Sequence, residues 1–341
     1  MVFKGKGQVV VEERPEPRIE APTDAIVRVG MATVCGTDVR VFNGRIPAAP
    51  DSVIGHEFSG VVEETGPDVA RFKAGDRVVS PFSVFCGGCF YCKKGLLTAC
   101  ERRQVFGFGG LGGAQAEYVR VPMADAVLEH IPTSVDDTQA AFLSDVLPGT
   151  FAGLQLAGLQ PGDSVAVVGC GPTGLCTQLL AKAMGAARVY GIDHHPDRLA
   201  MAARLGATAL NSDTEDAAAR VRAETGGRGV DLAAEATGTL AGLTAAAALP
   251  RQWGTLLGLG VGVEREGQFP VGGLGSRHVR FVPAGIPPVK NYIAPLIKMI
   301  ANGVVDPRPI ASHTLPLAEA ARGYEIMAAR ADGALKVLLK P

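Results

Sequence analysis

Val165-Ala166-Val167-Val168-Gly169-Cys170-Gly171-Pro172-Thr173-Gly174 is an apolar run that breaks into a glycine turn and then opens a helical pattern reaching Met184. Four consecutive apolar residues bounded by turn signals predict a buried strand. The glycines at 169, 171 and 174 suit a dinucleotide turn: one for the tight bend, one for backbone approach to a pyrophosphate, one for close packing of helix on strand. The run 188–193 predicts the next strand, and Asp193 at its end is the acid such a unit aims at the adenosine ribose hydroxyls. Gly169, Gly171, Pro172, Thr173, Gly174 and Asp193 are therefore candidate cofactor contacts. His194, His195 and Arg198 follow closely, and Arg198 is counted with them. The plain alternative is an ordinary glycine-rich strand–helix turn, which the position between a strand and a helix, with an acid ending the next strand, disfavours.

Outward from this stretch the same alternation continues. A helix is expected over 196–205, with Pro196 where helices often start, and strands over 230–234 and 254–259. Strand–helix alternation predicts a doubly wound parallel sheet, placed at 149–288. Residues 1–148 read differently: short β-type runs at 25–29, 60–63, 77–80 and 116–121, bounded by Gly, Pro or Asp, predict a β-rich domain. The last segment, 289–341, holds a helical pattern over 317–330 and a strand over 335–339, and is expected to return to the first domain.

The β-rich part carries metal-ligand chemistry. Cys86, Cys89, Cys92 and Cys100 stand in the spacing C-x2-C-x2-C-x7-C. Short spacings let one loop wrap a zinc ion held by four thiolates. An iron–sulfur run would continue with x3-C-P, and a C-x-x-C redox pair would leave the other cysteines idle. Upstream lie Cys35, before Gly36-Thr37-Asp38, and Gly55-His56-Glu57; Asp145 closes the domain. A lone histidine is more often a packed residue than a ligand. Cys, His and Asp together can bind zinc and leave a fourth position for water or an alcohol. Cys170 and Cys176 are read as small core residues.

Composition bounds the rest. The chain has 341 residues, 47% hydrophobic, with a net charge of −1. That size suits about two domains, and that charge offers no reason to expect nucleic acid or an anionic membrane as a partner. Lys93, Lys94, Arg102 and Arg103 around the cysteine run would suit a zinc-ribbon nucleic-acid binder, but they also read as ordinary surface charge. No apolar stretch reaches about 18 residues, and the first residues form no apolar signal core. The expected location is the cytoplasm, where seven cysteines favour metal over disulfides.

Taken together, these features resemble the zinc-dependent medium-chain alcohol dehydrogenases over essentially the whole length. Gly55-His56-Glu57-x-x-Gly60 with Gly66 and Val69 matches the family's zinc signature; Gly75-Asp76-Arg77-Val78, Ala116-Glu117-Tyr118 and the four-cysteine lobe follow in the family's order. The resemblance implies a GroES-like β-rich catalytic domain beside a Rossmann-type cofactor domain, two zinc ions per chain and a nicotinamide cofactor. Asp193 favours NAD over NADP, because it would repel a 2′-phosphate. By resemblance Cys35 and His56 are catalytic zinc ligands. Asp145 stands where many members have a cysteine and some an aspartate, and Glu57 is the acid beside the zinc. Thr37 matches the hydroxyl that takes the substrate proton, Phe82 an apolar substrate-pocket position, and Lys336 a basic residue that can reach the pyrophosphate. Two departures stand out. Arg40 replaces the histidine that ends the proton relay in many members, and is assigned to the pyrophosphate instead; Pro148-Gly149-Thr150 replaces a Pro-Thr pair. The expected reaction is reversible oxidation of a secondary or small primary alcohol to a ketone or aldehyde. Polyols, threonine-type amino alcohols and formaldehyde adducts are the alternatives. The expected assembly is a homodimer or homotetramer, with the apolar run 281–289 as a candidate interface edge.

Overall fold

The computed structural model describes residues 1–260 and 269–341. The chain divides into two compact units, Met1–Pro148 with Pro288–Pro341, and Gly149–Pro287. Among the described residues no helix is long and apolar enough to cross a membrane.

In the first unit the long strand Ala25–Val34 is the organising element. Its β-branched Ile26, Val27, Val29 and Val34 are buried, which suits a pleated surface covered by neighbours. It pairs antiparallel with Phe58–Thr65, with Tyr118–Val121 and with Lys336–Lys340 from the far end of the chain. Arg77–Ser80 and Glu129–His130 extend the sheet on one side, and Ala311–Pro316 on the other. Register decides what this sheet presents. Phe58 sits opposite Ala32, and Val337 opposite Val34. One end of the sheet therefore gathers Thr33 to Cys35, His56 to Glu57, and Lys336. Gly60 explains itself here: a Cβ on it would lie 2.1 Å from the carbonyl oxygen of Arg28, so a larger residue would push the two strands apart. Phe58 and Phe106, both fully buried, meet edge to face at 5.1 Å, a geometry worth about 0.5–1.5 kcal/mol beyond burial.

The second unit is a parallel sheet in the order Thr208–Asn211, Arg188–Asp193, Ser164–Val168, Val230–Glu235, Pro250–Gly258, Arg280–Pro283. The expected doubly wound arrangement is thus present. Strand order reverses between Ser164–Val168 and Val230–Glu235, the place where such sheets bind ligands. The helix Pro172–Ala183 starts there, capped by Gly171 with Pro172 in its first turn.

Several elements depart from expectation. The strand expected at 254 begins at Pro250. A register shift lies between its partners Val230 and Leu232, and Trp253 has φ of 60°, so an irregular stretch with polar Arg251 and Gln252 masks the strand in sequence. A helix, Val146–Leu156, was hidden by Pro148 and Gly149, which read as breakers. Proline in a first turn removes a donor that has no partner anyway. Near the C-terminus a 3-10 turn, Leu317–Glu319, precedes the helix Ala320–Ala329.

Candidate active site

Four side chains with ligand atoms converge in the first unit. Cys35 ends the long strand and caps the helix Gly36–Phe42. His56 and Glu57 lead into Phe58–Thr65. Asp145 follows Ser144, whose hydroxyl donates to Ser80 O at 2.5 Å and accepts from the Phe58 N–H at 3.2 Å. Cys35 Sγ lies 3.9 Å from Asp145 Oδ2, and His56 Nε2 lies 3.8 Å from the same oxygen. One ligand atom from each of Cys35, His56, Glu57 and Asp145 lies within 4.8 Å of the others. Tetrahedral ligands on one zinc stand roughly 3.3–3.8 Å apart, so small side-chain adjustments close the set. Asp145, with 27% of its side chain exposed, faces the open side, while His56 and Glu57 are buried.

The electrostatics of this cluster call for a cation. Burial and the neighbouring Glu57 carboxylate push the Asp145 carboxyl up, and the same two causes push the Cys35 thiol up. Burial alone would lower the His56 pKa, but Asp38 and Cys35 outweigh it and hold the ring well above its usual value. Glu57 Oε2 accepts from Lys336 Nζ and Thr33 Oγ1. Its Oε1 is buried with no hydrogen-bond partner among the described residues, a costly arrangement. A divalent cation among the four groups would satisfy that oxygen and offset the crowded negative charge. The residues fit zinc.

Sequence reading missed a supporting layer. His56 Nδ1 lies 3.1 Å from Asp38 Oδ1. Asp38 Oδ2 accepts from the Cys35 N–H at 2.9 Å and from Gln115 Nε2 at 3.3 Å. Gln115 also donates to Thr33 O at 2.9 Å and accepts from the buried Tyr324 hydroxyl at 2.7 Å. One carboxylate thus stands against both ligand residues, bonded to the Cys35 backbone and close to the His56 ring, the placement found behind metal-bound histidine. Asp38 carried a signal, an acid three residues after a helix-capping cysteine; Gln115 and Tyr324 carried none. Thr37 and Arg40 lie half-buried in the first and last turns of the helix Gly36–Phe42. Phe82 is buried, and its N–H donates at 3.1 Å to the carbonyl oxygen of Ser144, the residue before Asp145. The Lys336 ammonium is buried on Glu57, at the metal-ligand cluster itself.

The second cluster is a closed one. Sγ–Sγ distances are 4.0 Å for Cys86–Cys92, 3.9 Å for Cys89–Cys100 and 3.6 Å for Cys86–Cys100. A zinc–sulfur bond of about 2.3 Å makes a tetrahedron with edges of roughly 3.8 Å, and all four thiols are free of disulfides. The Gly88 and Cys89 N–H groups pull the Cys86 thiol down to about 6, which favours the thiolate a metal needs. Of the nearby cations, Lys94 stacks over Phe90 at 4.4 Å and Arg103 over Phe82 at 5.7 Å.

In the second unit the glycine turn packs closely on the helix that follows it. A Cβ on Gly174 would lie 1.7 Å from Gly169 O, so helix and turn are in contact. At Gly171 a Cβ would meet only the Arg198 guanidinium, at 3.7 Å and beyond, leaving room above the backbone beside a positive charge. Asp193 Oδ2 accepts from the Cys170 N–H at 2.7 Å, and Oδ1 from His194 and His195 at 2.7 and 3.0 Å. Burial would raise its pKa, but these N–H donors and Arg198 hold it below the usual carboxylate value. Asp193, His194 and His195 also form an ion-sized group, although the three N–H bonds already engage both carboxylate oxygens. Glu235, fully buried at the strand-order reversal, accepts from Thr237 and Gly238 through Oε1.

Known proteins are similar to this chain. Residues 21–133 match the family profile described as alcohol dehydrogenase GroES-like domain, and residues 172–302 the one described as zinc-binding dehydrogenase. An uncharacterized zinc-type alcohol dehydrogenase-like protein of Bacillus subtilis (strain 168) is 34% identical over 377 residues, covering 100% of this chain and 99% of that one. The solved structure of an alcohol dehydrogenase from Thermus sp. ATN1 is similar at 41% identity, with a TM-score of 0.95 over 99% of this chain and 98% of that one. A putative zinc-binding dehydrogenase from Sinorhizobium meliloti 1021, solved with NADP bound, is 28% identical, with a TM-score of 0.87 over 99% and 97% of the two chains.

Proposed function

The chain belongs to the zinc-dependent medium-chain alcohol dehydrogenases, and from that premise we propose how its own residues carry the reaction. It is an oxidoreductase acting between an alcohol and the corresponding carbonyl compound. Cys35, His56 and Asp145 hold the catalytic zinc, with Glu57 Oε1 as an inner reserve ligand. Cys86, Cys89, Cys92 and Cys100 hold a second, structural ion. The observation that carries this reading is Glu57 Oε1, buried without a hydrogen-bond partner among the described residues, on a side chain grouped with three other ligand-bearing ones. When bound, zinc would supply Lewis acidity and the nicotinamide a hydride acceptor.

The remaining work falls to side chains. Asp38 fixes the His56 ring and the Cys35 backbone. The Lys336 ammonium neutralises Glu57 Oε2 and leaves Oε1 directed inward. Thr37 takes the substrate hydroxyl proton at Oγ1. Arg40 stays protonated and cannot act as a base, so that proton leaves through solvent, while Arg40 would serve the cofactor pyrophosphate. Gly169 to Gly174 and Arg198 cradle the phosphates. Asp193, held ionised by three N–H donors, favours NAD over NADP. Association into a homodimer or homotetramer would use the strand Arg280–Pro283, whose outer edge has no partner among the described residues and whose Phe281 is 42% exposed.

A panel of alcohols with NAD and with NADP, followed by near-ultraviolet absorbance of the reduced cofactor, tests the reading. Alcohol-dependent reduction with higher kcat/KM for NAD is expected. No reduction with any alcohol, or a preference for NADP, would overturn the corresponding part.

A further inference from the structure

Glu235 ends a central strand of the parallel sheet and is fully buried, which is rare for an acid unless it is paired. In the ladder it lies between Val168, the residue before the glycine turn, and Gly258. Its carbonyl oxygen accepts from the Leu259 and Gly260 N–H groups at 2.9 and 3.1 Å, and the Ala236 N–H donates to Val168 O at 2.9 Å. The ends of three neighbouring strands therefore meet at this residue, where strand order reverses and such sheets bind ligands. The side chain turns to the loop that follows. Oε1 accepts from the Thr237 N–H at 2.5 Å, the Thr237 hydroxyl at 2.6 Å and the Gly238 N–H at 2.6 Å. These bonds fix Thr237, and Thr237 meets the glycine turn: a Cβ on Gly169 would lie 2.7 Å from Thr237 Cγ2. Behind it, a Cβ on Gly242 would lie 2.1 Å from Thr237 Oγ1. Two glycines thus leave a slot that fits this threonine. Asp193 holds the turn from the other neighbouring strand, accepting from the Cys170 N–H at 2.7 Å. Glu235 Oε2 is buried without a hydrogen-bond partner among the described residues, and a Cβ on Gly260 would lie 2.4 Å from it. An orphan oxygen costs stability, so packing alone does not account for an acid here.

We propose that Glu235 is a positioning residue for the nicotinamide cofactor: by fixing Thr237 against Gly169, it holds the glycine turn in the shape that admits the pyrophosphate. The proposal rests on the reading of residues 169–174 as the pyrophosphate turn. Without the Oε1 bonds Thr237 would be free to change rotamer, its methyl would leave Gly169, and the turn would lose one of its two supports. Such a support serves the bound cofactor equally before and during the reaction. Its loss therefore raises KM and spares kcat.

The test is the Kd of the zinc-loaded enzyme for NADH and for ADP-ribose, which carries the pyrophosphate without the nicotinamide, measured by titration calorimetry. KM for the cofactor and kcat are measured alongside. Glu235→Ala should weaken both ligands by about tenfold or more, raise KM in step, and leave kcat at saturating cofactor within about twofold of the wild type. Glu235→Gln keeps an acceptor oxygen in reach of the same donors and should recover most of the affinity. Thr237→Ala, at an exposed loop position, should reproduce the loss and decides the matter even where Glu235→Ala fails to fold. In the double variant, Glu235→Ala should add little to Thr237→Ala, because both remove the same support. Thr237→Ala with wild-type affinity for ADP-ribose would overturn the proposal. So would a full second loss in the double variant, or Glu235 variants with lower Tm or kcat but an unchanged Kd, the mark of a merely structural residue. A wild type that binds neither ligand would overturn the reading of the turn, and the proposal with it.

Discussion

Asp38 lies buried three residues after Cys35, where it bonds the Cys35 backbone and faces His56 Nδ1 at 3.1 Å. Removing its charge while keeping its shape should loosen both ligands. Asp38→Asn is expected to weaken zinc affinity at the open cluster by about 10–100-fold, measured by competition with a chelator, and to leave the four-cysteine ion in place. Unchanged affinity would remove Asp38 from the account. Asp193 makes a different prediction because its folded pKa is depressed. A depressed acid stabilises the fold above its unfolded pKa of about 3.9 and loses that contribution as pH falls through the lower folded value. Asp193→Asn should therefore cost about 1–3 kcal/mol at neutral pH, and the denaturation curves of variant and wild type should draw together below about pH 4. A gap that persists in acid would mean the loss is steric. At this scale the sequence was legible wherever residue type alone carries chemistry, as with cysteines, His56 or the glycine turn. It was silent on Gln115, because that residue acts through Asp38, 77 positions away, and nothing local distinguishes it from any buried glutamine.

The elements that hold the site were read where their periodicity was clean and missed where a breaker sat inside them. Arg188–Asp193 matched its expectation because nothing interrupts the run. Val146–Leu156 did not, because proline and glycine in a first turn look like a stop when helix N-terminal geometry cannot be seen. The cysteine lobe is the element most dependent on something besides packing. It has a two-residue ladder, Ser83–Val84 with Gln104–Val105, a four-residue helix and a short 3-10 turn, too little to order the loop alone. Cys89→Ser should lose one zinc per chain by elemental analysis and lower Tm by about 5–10 °C. A variant that keeps both its metal content and its Tm would show that the lobe folds without its ion.

At the scale of the whole molecule, the two units were legible as a change of rhythm, from short strands to strand–helix alternation. What rhythm could not say is that the last strand, Lys336–Lys340, joins Ala25–Val34 and so delivers Lys336 to Glu57; such a pairing is non-local and leaves no pattern in either segment. Assembly belongs to this scale too. If Arg280–Pro283 is the contact edge, light scattering should find a dimer or tetramer in the wild type and a monomer for Phe281→Lys, while an unchanged mass would move the interface elsewhere. The central claim is that one of two zinc ions, the one among Cys35, His56 and Asp145, supports alcohol oxidation. Zinc content and alcohol-dependent NAD reduction should be measured together on aliquots taken during slow chelation. The account predicts that activity vanishes as the first zinc per chain leaves, and that the second departs only as the cysteine lobe unfolds. Activity that survives loss of the first ion, or a wild type holding a single zinc bound by the four cysteines, would contradict it.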